Sequence, residues 1–193
     1  MPSPGNSPWG IDSNQAYCVS PSTASFTTTA GVPKNIALLG STAEPHIVEA
    51  DVTLSATSPN VGVVAKFVDT HNFIFANIYN TTSHGLIIVI CVAGTFTALH
   101  SDSRTITKGA TYKLRLRVDG VGWSVSLNGG SVSSGTLTGP QLAALSGPSA
   151  AGLFLGSGMF HGISPNDPGD SRFDNYQLST RDPGGWSVGF LKF

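Results

Sequence analysis

The sequence predicts an all-β fold, an antiparallel sandwich or barrel with almost no helix. Three observations carry this: apolar and polar residues alternate with period two, turn residues recur between the alternating runs, and only one stretch has helical character. Alternation is strict in Val48–Ser55 (VEADVTLS), in Tyr112–Asp119 (YKLRLRVD) and in Trp123–Leu127 (WSVSL). Successive strand side chains point to opposite faces, so each run puts one set on a core and the other in water. Tyr112, Leu114, Leu116 and Val118 are the expected core set, with Trp123 packed over them. His71–Tyr79 (HNFIFANIY) and Gly85–Ala93 (GLIIVICVA) are apolar at every position but a few, and Val61–Val68 differs only in carrying Lys66. Such runs read as central strands covered on both faces, or as strands whose outer face meets another subunit.

The punctuation fits. Ser58-Pro59-Asn60, Asp69-Thr70, Asn80–Ser83, Ala93-Gly94, Lys108-Gly109, Asp119-Gly120 and Asn128-Gly129-Gly130 all fall between apolar runs. Asp-Gly and Asn-Gly tolerate positive φ and suit tight hairpins. Gly139–Leu145 (GPQLAAL) has proline at its start and good helix formers after it, so one short helix is expected there. Residues 1–8 are rich in Pro, Ser and Gly and read as a flexible lead-in. Arg181-Asp182-Pro183-Gly184-Gly185 reads as a break before an apolar terminal segment, Trp186–Phe193.

Composition bounds function. The chain has 193 residues, of which 40% are hydrophobic and 11% charged, against about 25% charged in an average soluble domain. Its polar surface must therefore come mainly from 24 Ser, 18 Thr and 23 Gly. A net charge of −1 gives no field for phosphate backbones, which argues against nucleic-acid binding. The longest apolar stretch, Leu86–Ala93, falls short of the roughly 20 residues of a membrane helix, so no insertion by helix is expected. The N-terminal residues have neither the basic start nor the apolar run of a secretory signal. Cys18 and Cys91 read as buried free thiols, with a single bridge as the alternative in an oxidising compartment.

Several segments together resemble a known family. Trp9–Tyr17 (WGIDSNQAY), Val63–Phe73 (VVAKFVDTHNF), Gly109–Leu116 followed by Trp123 and Leu127-Asn128-Gly129, Ala151–Phe154 and Arg172–Leu178 (RFDNYQL) resemble the successive strands of concanavalin A-like, laminin-G-like domains. The resemblance spans Trp9 to Ser179. It implies a two-sheet antiparallel jelly-roll sandwich over residues 9–180 and leaves 181–193 as an added strand or docking arm. Domains of this kind occur in lectins, glycanases, adhesion modules and tailed-bacteriophage structural proteins. The Ser/Thr/Gly-rich, Lys-poor composition is most similar to the phage group. By that analogy the expected function is a non-catalytic virion protein, a capsid decoration or tail accessory subunit, located in the virion and touching other virion subunits and host-surface glycans. A free carbohydrate-binding module or lectin is the alternative, and a glycan-processing enzyme a third.

The residues available for chemistry are few. Glycosidases need two carboxyls facing one cleft, one of them with a raised pKa. Glu49 and Asp51 are the one pair at strand spacing, and they read as a solvated polar face; no Glu-x-Asp-x-x-Glu motif is present. His46, His71, His84, His100 and His161 show no zinc spacing, and no Gly-x-Ser-x-Gly elbow occurs. No catalytic residue and no required cofactor is expected. Tyr79, Phe160 and His161 are candidates for a sugar-stacking face. Asn166, Asp167 and Asp170, in the loop Gly156–Ser171, offer oxygen ligands of the kind Ca²⁺ takes, without the spacing of a dedicated calcium loop; the resemblance implies calcium beside the sugar site in many members. Trp186, Val188, Phe190 and Phe193 carry too much apolar area to be left in water, so an assembly contact, in a homo-oligomer or on a capsid or tail protein, is expected of them.

Overall fold

The computed structural model describes residues 9–12, 15–18, 36–41, 44–54, 60–80, 85–155 and 171–180, with backbone alone for 9–18 and 155. In chain order the strands are β1 Trp9–Asp12, β2 Gln15–Cys18, β3 Ile36–Ser41, β4 His46–Thr53, β5 Asn60–Asp69, β6 Asn72–Tyr79, β7 Leu86–Val92, β8 Thr95–Asp102, β9 Thr111–Asp119, β10 Gly122–Leu127, β11 Gly130–Thr136, β12 Ala150–Leu155 and β13 Arg172–Ser179. One helix, α1 Gly139–Ala144, interrupts them. The strands form two antiparallel sheets, β1-β2-β13-β4-β9-β10-β11 and β3-β12-β5-β6-β7-β8. This is the jelly-roll sandwich that the alternation and the resemblance predicted.

The core lies where the two alternations meet. From the seven-stranded sheet come Val48, Ala50, Val52, Leu114, Leu116, Val118, Trp123, Val125, Phe173 and Tyr176. From the six-stranded sheet come Ala37, Val61, Val63, Ala65, Ile74, Ala76, Ile78, Ile88, Ile90 and Leu153. Tyr112 is half-buried at the margin, where its hydroxyl accepts the Thr107 backbone N–H at 2.9 Å. The runs that lacked alternation, β5, β6 and β7, are central strands of the six-stranded sheet and are buried along nearly their whole length.

Turn chemistry fixes the register of the two hairpins that matter most for the polar face. β10 and β11 join through Asn128 and Gly129, whose φ values of 52° and 80° give the left-handed pair that a tight hairpin requires. β9 and β10 join through Gly120-Val121, with Gly120 at φ 51°. In the other sheet, β12 crosses β3 so closely that a Cβ on Gly152 would stand 1.8 Å from the Ala37 carbonyl oxygen.

Three local outcomes refine the sequence reading. Lys66 sits in a bulge of β5 at φ 48°, its ammonium buried against the Glu44 carboxylate. Asp174 accepts a local backbone hydrogen bond from Asn175 N–H at 2.6 Å, at a bulge within β13. Gly139–Ala144 is helical as expected, closed by a capping box between Thr138 and Gln141.

Leu116→Ala should lower the unfolding free energy by about 2–5 kcal/mol, read as a shift of the urea midpoint at unchanged m. Asp102 supplies a pH-dependent part of stability. Burial works to raise its pKa, but hydrogen bonds and charge from Arg104 outweigh it and hold it below the usual carboxylate value. A lowered folded pKa stabilises above the unfolded value and is lost as pH falls through the folded one. Asp102→Asn should therefore flatten the decline of stability below about pH 4.

Candidate functional site

The outer face of the seven-stranded sheet is the polar half of the alternation, and the hairpin registers line its side chains into rows. One row runs Asp174, Asp51, Lys113; the next runs Gln177, Glu49, Arg115, Ser126, Ser131; a third runs Ser179, Ile47, Arg117, Ser124, Ser134. Directly opposed residues in neighbouring strands share a face, so these are contiguous surface rows. A shallow depression of about 250 Å³ opens between β9, β10 and β11, lined by Arg115, Arg117, Ser124, Ser126, Gly129 and Ser131.

Its charges are matched. The Lys113 ammonium stands 3.1 Å from Asp51 Oδ1 and 3.4 Å from Glu49 Oε1. The other Asp51 oxygen accepts Asn175 Nδ2–H at 2.7 Å. Partial burial works against the Lys113 charge, but the Asp51 hydrogen bond and the charges of Asp51 and Glu49 outweigh it and hold the lysine pKa above its ordinary value. Arg117 reaches Asp119 at 2.5 Å, and Arg115 lies directly across from Glu49. The face is therefore a neutral, hydrogen-bonding surface made of fixed charges and hydroxyls.

The structure brings Glu49 and Asp51 onto one face as their spacing implied, but half-buried and joined through one ammonium instead of simply solvated. An acid that must donate a proton works in surroundings that favour its neutral form. A cation touching both carboxylates provides the opposite. Tyr79 is on the other sheet, half-buried at the end of β6 beside Asn77; burial pushes its hydroxyl pKa up, with the Asn77 amide acting the other way. It therefore shares no surface with the shelf on β9–β11. Phe160, His161, Asn166, Asp167, Asp170, Trp186, Val188, Phe190 and Phe193 lie outside the described residues. Among the described residues no three His, Cys, Asp or Glu side chains gather to hold a metal, and no helix is long and apolar enough to cross a membrane. Cys91 is buried and free.

Sequence reasoning passed over Arg115, Arg117, Ser124, Ser126 and Ser131. The signal was present: Arg115, Arg117, Ser124 and Ser126 are the polar set of two alternating strands joined by Asp-Gly, Ser131 follows the Asn128-Gly129 turn, and hairpins lay such sets side by side.

No family model matches the sequence, and no curated protein matches it either. Solved structures do share its fold. The carbohydrate-binding module CBM66 of Bacillus subtilis superposes with a TM-score of 0.62 at 13% identity, over 91% of this chain and 96% of that one. The galectin LEC-6 of Caenorhabditis elegans superposes at 0.51 and 10% identity, over 88% and 99%. The GH43 protein BlXynB of Bacillus licheniformis superposes at 0.56 and 12% identity over 78% of this chain, which spans only 30% of that protein. The chain thus has the two-sheet jelly roll found in a carbohydrate-binding module and a galectin.

If the carboxylates hold Lys113 as described, the Glu49→Gln/Asp51→Asn double variant should titrate Lys113 at lower pH than the unaltered protein, followed by NMR of the lysine ε-CH₂.

Proposed function

We propose that this protein is a non-catalytic carbohydrate-binding module whose binding surface is the polar shelf on β9, β10 and β11. The observation that carries the reading is the shelf itself: two arginines and three serines converge on one shallow depression of about 250 Å³, on an outer face whose charges are compensated. A saccharide presents a dense array of hydroxyls that both donate and accept. Guanidinium forks and serine hydroxyls answer that array with directional donors and rotatable donor–acceptors. An uncharged glycan gains nothing from a strong net field, so a balanced surface suits it. The shared fold with CBM66 and a galectin supports the same reading, as a likeness of architecture. The pairing of Glu49 and Asp51 with Lys113 supports the non-catalytic part.

A second reading places the same surface on a tailed-phage particle, where it would touch host-surface glycans. It rests on the Ser/Thr/Gly-rich, Lys-poor composition alone. Recovery of the chain from purified virions by mass spectrometry supports that location, and its absence from them removes it.

Glycan-array screening followed by calorimetry tests the function. Arg115→Ala should weaken the best glycan by roughly tenfold to a hundredfold, the worth of one or two lost charge-assisted hydrogen bonds. Affinity for a neutral ligand should change little with added salt. Undiminished binding by Arg115→Ala and Arg117→Ala, or hydrolysis of the glycan lost on replacing Glu49 or Asp51, overturns the proposal.

A further inference from the structure

The shelf continues past its first depression. A second one, of about 280 Å³, is lined by Arg117, Asp119, Val121, Gly122, Trp123 and Ser124. Arg117 and Ser124 line both, and the register sets them directly opposite each other, so the two depressions meet at that pair. Three opposed pairs follow one another along the hairpin: Arg115 with Ser126, Arg117 with Ser124, Asp119 with Gly122. β11 carries the same rows on with Ser131, Ser134 and Thr136. Long side chains on β9 thus stand beside short ones on β10 and β11, which makes a trough with one raised wall. Arg117 lies along that wall onto Asp119, at 2.5 Å. From the first pair to the third the trough runs about 13 Å, at about 3.3 Å per strand residue. Its two ends run out over exposed turn residues, Asn128-Gly129 and Gly120-Val121.

The second depression is built from residues that folding alone does not ask for. Gly122 has no left-handed φ, and a Cβ there would meet only the Asp119 carbonyl oxygen, at 3.6 Å, an ordinary contact. Neither turn geometry nor close packing requires glycine at this position, and glycine is a poor strand residue. Its missing side chain leaves the floor of the depression open. Val121, 56% exposed, is the one exposed large apolar side chain among the described residues. A β-branched residue has no preference for a tight turn, and in water it gains nothing from burial. Asp119 adds a charged acceptor, whereas no carboxylate lines the first depression.

On the glycan-binding reading of the shelf, we propose that the two depressions act as one trough that takes an internal stretch of a linear, uncharged glycan chain, with Asp119, Val121 and Gly122 selecting for chain length. A single sugar ring cannot span 13 Å, so one ring fills one depression and a chain is needed to fill both. A site walled at one end selects a chain terminus; exposed turns at both ends let a chain pass through. The chemistry changes along the path as a chain would use it. Arginine forks and serine hydroxyls meet hydroxyl groups at one end. At the other, the Val121 methyls meet the C–H face of a ring, and the Asp119 carboxylate accepts from a hydroxyl. Arg117 and Ser124 serve both halves.

Calorimetry on the full chain with linear cello-, xylo-, malto- and laminari-oligosaccharides, each from disaccharide to hexasaccharide, tests the trough. Affinity for the best series should rise with length, by roughly tenfold once a chain spans both depressions, the worth of one or two ordinary hydrogen bonds. Gly122→Leu fills the second depression and should bring the hexasaccharide down to the affinity of the disaccharide, with thermal midpoint and far-UV circular dichroism reporting a retained fold. Val121→Ser, confined to an exposed turn, should remove part of the same gain and carries the test if Gly122→Leu does not fold. Arg115→Ala should instead weaken every length. An affinity already complete at the disaccharide, yet lowered by Arg115→Ala, overturns the trough and leaves the shelf standing. A length-dependent gain that survives these second-depression variants overturns the trough as well, as does failure of every series to bind. Binding that is indifferent to Arg115 overturns shelf and trough together.

Discussion

A sheet that is apolar on both faces has nowhere to meet water, and the six-stranded sheet is such a sheet. That constraint orders the rest of the molecule. One face is dried by the seven-stranded sheet, through Val48, Leu114, Leu116 and Trp123 against Val63, Ile74 and Ile88. The other holds its own cluster of interlocked aromatic rings. Burying a single large apolar side chain is worth roughly 1.5–3 kcal/mol, so a cluster of this size strongly favours a covered state. Among the described strands, the polar surface that remains is then the outer face of the other sheet.

That polar face is built by compensation. Lys113 joins Glu49 and Asp51, Asn175 holds the remaining Asp51 oxygen, and Arg117 meets Asp119. Each pair is partly exposed, so its contribution to stability is small. Its greater effect is geometric: it holds long side chains in place around the depression on β9–β11. A binding surface with side chains already positioned loses less conformational freedom when a ligand arrives. The same pairing works against acid–base chemistry at Glu49 and Asp51.

Two of the buried polar residues, Asn60 and Asn77, lie toward the other end of the six-stranded sheet. Asn77 is 0% exposed, and among the described residues neither atom of its amide closes a hydrogen bond of ordinary geometry. Gly62 lies against it, where a Cβ would come within 2.6 Å of the Asn77 Cα. A buried amide in that condition costs stability unless water or another polar group meets it. The aromatic end and the amide end thus differ in kind: one is closed by ring packing, the other keeps unspent hydrogen-bonding capacity beside Tyr79.

By itself the sequence determined the fold class, the antiparallel strands, the inward residues of β4, β9 and β10, the Asn128-Gly129 hairpin and the double-sided burial of β6 and β7. Those features are local: period two, positive-φ turn residues and unbroken apolar runs each act within a few neighbours. Only the tertiary structure decided which strands lie side by side and which polar sets therefore merge into one surface. Arg115 and Ser126 become neighbours through the β9–β10 register, and Lys113 reaches Asp51 through pairing across 62 residues of chain. Tyr79 parts from that surface for the same reason, because its strand was drawn into the other sheet. Long-range pairing is settled by how two whole apolar faces fit together, and no short window of residues contains that information.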